Sequence, residues 1–167
     1  MKRLSNLNEV LAFQLEGLYD AEKKLQHAIP ACSEGVTLNV LKDIINKYGE
    51  QAAEKRTKLK RTFGYLLVEP FKRKNKVIDT MLKDTHYMLE HAASDSLRQV
   101  VLLACFQSIN HYKMAGYNAA LAFAIKLNLD TVSDLLHEIL EWEKETNAIL
   151  TKIAFEELHQ KEASSTS

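Results

Sequence analysis

Four stretches of the chain place apolar residues at steps of three and four, and polar residues interrupt each one near its middle. In the first, Leu11, Leu15, Leu18, Leu25 and Ile29 leave one vacancy, which Glu22 fills. In the second, Ile44, Tyr48 and Leu59 flank Gln51 and Lys55. The third sets Asn110 and Lys113 among Leu103, Phe106 and Tyr117, and the fourth sets Glu143 and Asn147 among Leu136, Leu140 and Leu150. Such a stripe is the inward face of a bundled helix. A carboxylate on that face is costly unless an opposite charge compensates it. Two chemistries could do so. Divalent metals held by carboxylates and imidazoles would make a dinuclear centre, which in ferritin-like bundles uses a Glu-x-x-His from each of two helices. Lysine ammoniums would make internal ion pairs instead. The layer contains no Glu-x-x-His, and its second and third helices each offer an amide and a lysine.

The elements that must position these residues follow from the same periods. A first helix is expected from about Ser5 to Ile29 or slightly beyond, with Pro30 and Gly35 marking its exit. A second starts near Thr37, with Gly64 as its C-terminal cap. The connection "GYLLVEPFKRKNKVIDTMLKDTHYMLEHAAS" holds a basic loop and a short helix over Lys76–His91. The next long helix starts at Ser94 or Asp95 and runs to about Leu127. The last follows "NLDTVSD", in which Thr131 and Asp134 resemble a capping box, and ends near Gln160. This gives one helical domain over 1–160 and a polar tail, 161–167, expected to be disordered.

Short links make the first two and the last two long helices antiparallel neighbours. The connection between these pairs is long enough to cross the bundle. The expected fold is all-α: a ferritin-like four-helix bundle of two antiparallel hairpins joined by a long crossover carrying a short extra helix. A simple up-down bundle stays open as an alternative.

Composition narrows the function classes. The 167 residues are 46% hydrophobic and 26% charged, with only 5 Gly and 2 Pro and no net charge. That balance gives no global field for nucleic acid or an anionic membrane. No apolar run nears the ~18 residues of a membrane span, and the basic start "MKRLSNLNEV" lacks the apolar core of a signal peptide. Cys32 falls in an expected turn and Cys105 in an apolar helix as a buried filler. One pair makes no disulfide framework, and a cytoplasmic protein is the reading. Nucleophile triads, Gly-rich phosphate loops and cysteines at metal spacing are absent.

Other residues weigh less. His111 reads as a ligand or, more readily, as a hydrogen-bonded core or hairpin-interface residue. His86 and His91, five apart, face different ways and read as surface; His137 and Glu141 lie beside the stripe and read as solvated. Trp142 reads as packing, and "FKRKNK" as a charged loop. Lys55 could snorkel to the bundle rim, whereas Lys113 sits in a helix apolar on nearly all sides ("VVLLACF", "AALAFAI").

The stretches "LYDAEKKL" (Leu18–Leu25), "HYKMAGYNAAL" (His111–Leu121) and "LLHEILEWEKETNAIL" (Leu135–Leu150) resemble the YciE/YciF family of ferritin-like proteins, and the likeness spans nearly the whole chain. The resemblance implies a small helical bundle with a dinuclear-metal-type layer, often dimeric, linked to stress responses and without a well-defined activity. It also implies departures. The family's helix 2 carboxylate, and the His or Gln one turn later, correspond to Gln51 and Lys55. Its Glu-His-Tyr-Glu corresponds to "NHYK", Asn110 to Lys113. In the last helix Trp142 interrupts the glutamate run and Asn147 replaces an Asp; Glu22 and Glu143 survive. Since an ammonium repels cations and supplies only donors, Lys55 and Lys113 are expected opposite Glu22 and Glu143 as ion pairs in place of metals.

Three functions follow. The first is a non-enzymatic, metal-free structural or stress-associated protein without cofactor. The second is a di-iron or di-manganese carboxylate protein with oxidase or iron-handling activity, in which Glu22, Glu50, Glu143 and a histidine form an atypical site. The third is a module binding another protein. A homodimer is expected, because the connection carries further apolar residues, Tyr65, Leu66, Leu67, Val68, Met81, Leu82 and Met88.

Overall fold

The computed structural model describes residues 3–69 and 73–164, and its described residues form five helices without a strand. The first, α1 (Leu7–Ser33), is capped by the Asn6 side chain, which accepts a hydrogen bond from the Glu9 backbone N–H. Pro30 lies inside α1. Its missing N–H removes one hydrogen bond, but Ile29 remains packed in the core and the helix continues for another turn before Gly35 adopts φ +76°.

The second helix, α2 (Asn39–Tyr65), runs through Gly64, which is therefore not the cap expected from the sequence. The left-handed position falls on Leu67, at φ 53°, with Val68 N–H donating to Phe63 O and Leu67 N–H to Gly64 O. That is a Schellman closure with a leucine where glycine is usual. The short helix α3 (Lys76–His91) occupies the expected span, capped by Asn75. Ser94 caps α4 (Asp95–Lys126), which ends in a second Schellman closure around Asn128 at φ 54°.

Finally, α5 spans Asp130–Ser164. Ser133 N–H donates to Leu129 O, so Thr131 lies within the first turn and does not form the expected capping box. The helix also passes the expected end at Gln160; residues 165–167 of the expected tail lie outside the described residues.

The four long helices close into a bundle in which α1 packs on α2 and α4, and α5 packs on α2 and α4, while α3 lies against α4 and α1. Two apolar clusters fill it. One joins the C-terminal half of α1 to the N-terminal halves of α2 and α4, with Leu25, Ile29, Ile45, Phe106 and Leu150. The other joins the opposite halves, with Leu11, Leu15, Leu59, Phe63 and Leu136. Thus α2 ends at one end of the bundle and α4 begins at the other. The α3 segment carries the chain back along the bundle, the connectivity of two hairpins joined by a crossover. Close approach of α1 and α4 relies on Gly116, where a Cβ would meet Leu18 Cδ2 at 2.9 Å. Among the described residues no helix is long and apolar enough to cross a membrane.

Candidate functional site

Between the two apolar clusters lies a layer built from one charged residue of each long helix. Glu22 of α1, Lys55 of α2, Lys113 of α4 and Glu143 of α5 are all 0% exposed. Lys55 therefore does not snorkel. Lys113 Nζ lies 2.8 Å from Glu22 Oε1 and 2.7 Å from Glu143 Oε1, bridging the two carboxylates. Lys55 Nζ lies 2.6 Å from the same Glu143 Oε1. The pairing is thus unequal: Lys113 has two partners, and Lys55 has a share of one.

The amides and two phenols complete the layer. Asn110 Nδ2 donates to Glu143 Oε2 at 2.6 Å and to the Glu143 backbone carbonyl at 3.2 Å. Tyr117 OH donates to Glu22 Oε1 at 2.7 Å. Tyr48 OH accepts from Lys113 Nζ at 3.0 Å and donates to Glu143 Oε2 at 3.2 Å. Gln51 and Asn147 are half-buried, and their side-chain oxygens, like that of Asn110, are buried without a hydrogen-bond partner.

The electrostatics follow this wiring. Burial pushes Lys113 down, but the Glu143 and Glu22 carboxylates outweigh it and hold the ammonium well above the usual lysine range. For Lys55, burial and the neighbouring Lys113 charge prevail, and its pKa is lowered. Burial would raise Glu143, yet Lys113 and Lys55 hold it below the usual carboxylate range. Both phenols are pushed up, first by burial and then by Glu143 beside Tyr48 and Glu22 beside Tyr117. They remain hydrogen-bond donors.

This donor set does not suit a dinuclear metal centre. Two carboxylates face two ammoniums, which have no lone pair to offer, and a buried divalent ion would meet positive charge at bonding distance. Glu50 and His111 are both exposed, so the structure does not bring them to the layer. His111 is accordingly not a core residue: Asn110, Lys113 and Tyr117 hold the inward face, and the next position along from Asn110 turns away. The Glu-x-x-His that the chain does contain begins at Glu156, thirteen residues beyond Glu143 on α5. Among the described residues no three His, Cys, Asp or Glu side chains are grouped to hold a metal ion. His86, His91, His137 and Glu141 are exposed, and Trp142 packs under the Lys58 ammonium, 5.1 Å from its ring centroid.

Two features had no sequence signal. In sequence, the phenols of Tyr48 and Tyr117 are indistinguishable from apolar members of their stripes. The crossover is fastened by Asn75, whose side chain caps α3 and also donates to Gly17 O at 2.9 Å, while its backbone N–H donates to Asp20 Oδ2 at 2.7 Å. Lys24 ties Asp20 to Asp79 of α3. Arg73 reaches back over the Phe13 ring and donates to the Phe13 carbonyl. Phe71 and Lys72 of the basic loop lie outside the described residues.

Comparison with known proteins agrees with this architecture. Protein YciF of Escherichia coli (strain K12) is 23% identical over 159 residues, covering 95% of this chain and 96% of that one. The crystal structure of the E. coli stress protein YciF matches with a TM-score of 0.89 at 21% identity, covering 93% of this chain and 99% of the other. YcfI of Rhodopseudomonas palustris matches with a TM-score of 0.86 at 23% identity, covering 90% and 96%. The family model described as "Domain of unknown function (DUF892)" matches residues 6–164. The chain belongs to that family, the family of YciF.

Proposed function

We propose that this protein is a metal-independent, non-enzymatic ferritin-like bundle with a structural, stress-associated role, in which Glu/Lys ion pairs stand in place of a dinuclear metal centre. The observation carrying this reading is the Lys113 ammonium, within 2.8 Å of Glu22 and 2.7 Å of Glu143. It occupies the point between two carboxylates where a cation would be held, and together with Lys55 it balances both charges. Support for the cellular role comes from the relatives: YciF is named a stress protein, and YcfI is described as a candidate structural protein.

Metal analysis of protein purified without chelator, followed by Fe(II) titration, tests the reading. Well under one equivalent of iron, manganese or zinc is expected; two tightly bound equivalents would favour the oxidase or iron-handling alternative. Restoring carboxylates at Gln51, Asn110 and Lys113, His at Lys55 and Asp at Asn147 should create Fe(II) or Mn(II) binding in a variant that still folds.

A homodimer acting in the cytoplasm belongs to the same reading. Tyr65, Leu67, Val68 and Met88 are exposed, whereas Leu66, Met81 and Leu82 pack partly against the core. Light scattering that reports a monomer, or cell fractionation that places the protein elsewhere, would remove that part.

A further inference from the structure

The bundle holds two thiols that its ion-pair layer does not use. Cys32 lies in the last turn of α1, not in the turn expected from the sequence, and Cys105 lies on α4. Both are reduced, and both are half-buried. Neighbouring antiparallel helices keep a fixed register, and the contacts between α1 and α4 define it. Glu22 meets Lys113, and Leu18 meets Gly116. Followed towards the C-terminal end of α1, Cys32 lies ten residues beyond Glu22, level with Leu103, which is ten before Lys113. That is two positions from Cys105, a difference in height of about 3 Å at ~1.5 Å per residue.

The faces agree with the heights. Cys32 packs against the core cluster that contains Leu102 and lines a small crevice with Leu102, Arg98 and Gln99 of α4. Leu102 and Cys105 are three apart, hence adjacent on one helix face. Burial raises the Cys32 thiol, and the Cys105 thiol raises it further.

We propose that Cys32 and Cys105 form a dithiol site that a hydroperoxide oxidises to an intramolecular disulfide, clasping the end of α1 to α4. One thiolate attacks the peroxide O–O bond, forming a sulfenic acid and releasing an alcohol, or water when the oxidant is hydrogen peroxide. The second thiol attacks that sulfur and the S–S bond forms; the departing hydroxide takes up the thiol proton as water. The two thiols lose two electrons and the peroxide gains them. Disulfide geometry demands Cα atoms within about 7 Å, and the end of α1 is built to adjust. Pro30 withholds a hydrogen bond from its last turn, and Gly35 begins the exit two residues after Ser33. Because burial keeps the Cys32 thiol protonated, oxidation should quicken towards alkaline pH.

The test uses the full chain, reduced and folded, treated with hydrogen peroxide, denatured and titrated with a maleimide. Free thiols should fall from two per chain to none, with a mass lower by two hydrogens, a peptide linking Cys32 to Cys105, and reversal by reductant. Cys32→Ser and Cys105→Ser should each abolish the link without unfolding the bundle, since serine is nearly isosteric. The proposal is overturned if peroxide leaves one thiol titratable beside a sulfinic acid on the other, or yields only disulfides between chains. It is equally overturned if the link forms no faster in the folded chain than in urea, because the fold would then not be placing the sulfurs.

Discussion

Lys113 Nζ stands 2.7 Å from Glu143 Oε1, with neither side chain exposed at all. Since Lys113 also holds Glu22, the single change Lys113→Met strands one carboxylate completely and leaves Glu143 with Lys55 alone. Its expected cost in urea denaturation is about 3–5 kcal/mol. Adding Glu22→Gln should recover much of that loss, because Glu143 and Lys55 then remain a neutral pair. Adding Glu143→Gln should recover less, because Glu22 stays unpaired. A loss below ~0.5 kcal/mol for Lys113→Met, the level of a surface substitution, would mean that the ammonium is in water.

Leu67 closes α2 in the left-handed region at φ 53° and is 92% exposed, so its side chain contributes little packing to offset the strain. Leu67→Gly should therefore raise stability by about 1 kcal/mol. A lower thermal midpoint for the glycine variant would show that the leucine is held by a contact, such as one across a dimer.

Acid should weaken the protein through Asp20 as well as through the buried layer. Burial opposes ionisation of Asp20, but Lys24 and the Asn75 backbone N–H outweigh it and depress its pKa; Glu143 is depressed by Lys113 and Lys55. A carboxyl whose folded pKa lies below its unfolded value stabilises fully above the unfolded value. That stabilisation is lost as pH falls through the folded one. The urea midpoint should thus decline between roughly pH 5 and pH 2, and Asp20→Asn should flatten part of that decline. Parallel curves for the two proteins would remove Asp20 from the account.

What the sequence disclosed depended on period. Glu22, Lys55, Lys113 and Glu143 each interrupt a run of apolar residues at helical spacing, and an interruption is visible without coordinates. Tyr48 and Tyr117 are not interruptions, because a phenol fills an apolar position with its ring; only the heights of facing helices reveal where the hydroxyl lands. Helix ends were less legible for a related reason. Gly64 had the right chemistry for a cap, but Phe63 is packed in the core and the helix closes three residues past Gly64, on Leu67. Asn75 lies in the connection, where no period exists to break. His111 adjoins the stripe in sequence but turns about 100° from Asn110 in space, and so it is exposed.

The layer also resolves an ambiguity in α4. That helix is apolar around most of its surface, so oily packing alone offers several ways to rotate it, or to slide it past α1 and α5. Lys113 distinguishes among them. A slip of one helical turn would carry its ammonium about 5.4 Å along the axis, away from both carboxylates, and would bury Lys113 and Glu22 without partners while Glu143 kept only Lys55. The same residues that add little net stability over an oily core therefore act as an indexing pin, selecting one alignment from many that hydrophobicity would tolerate. Lys113→Met combined with Glu22→Gln should leave a bundle that is stable but less singular, visible as doubled or broadened amide resonances along α4. A single sharp set of resonances in that variant would assign the indexing to the apolar clusters instead.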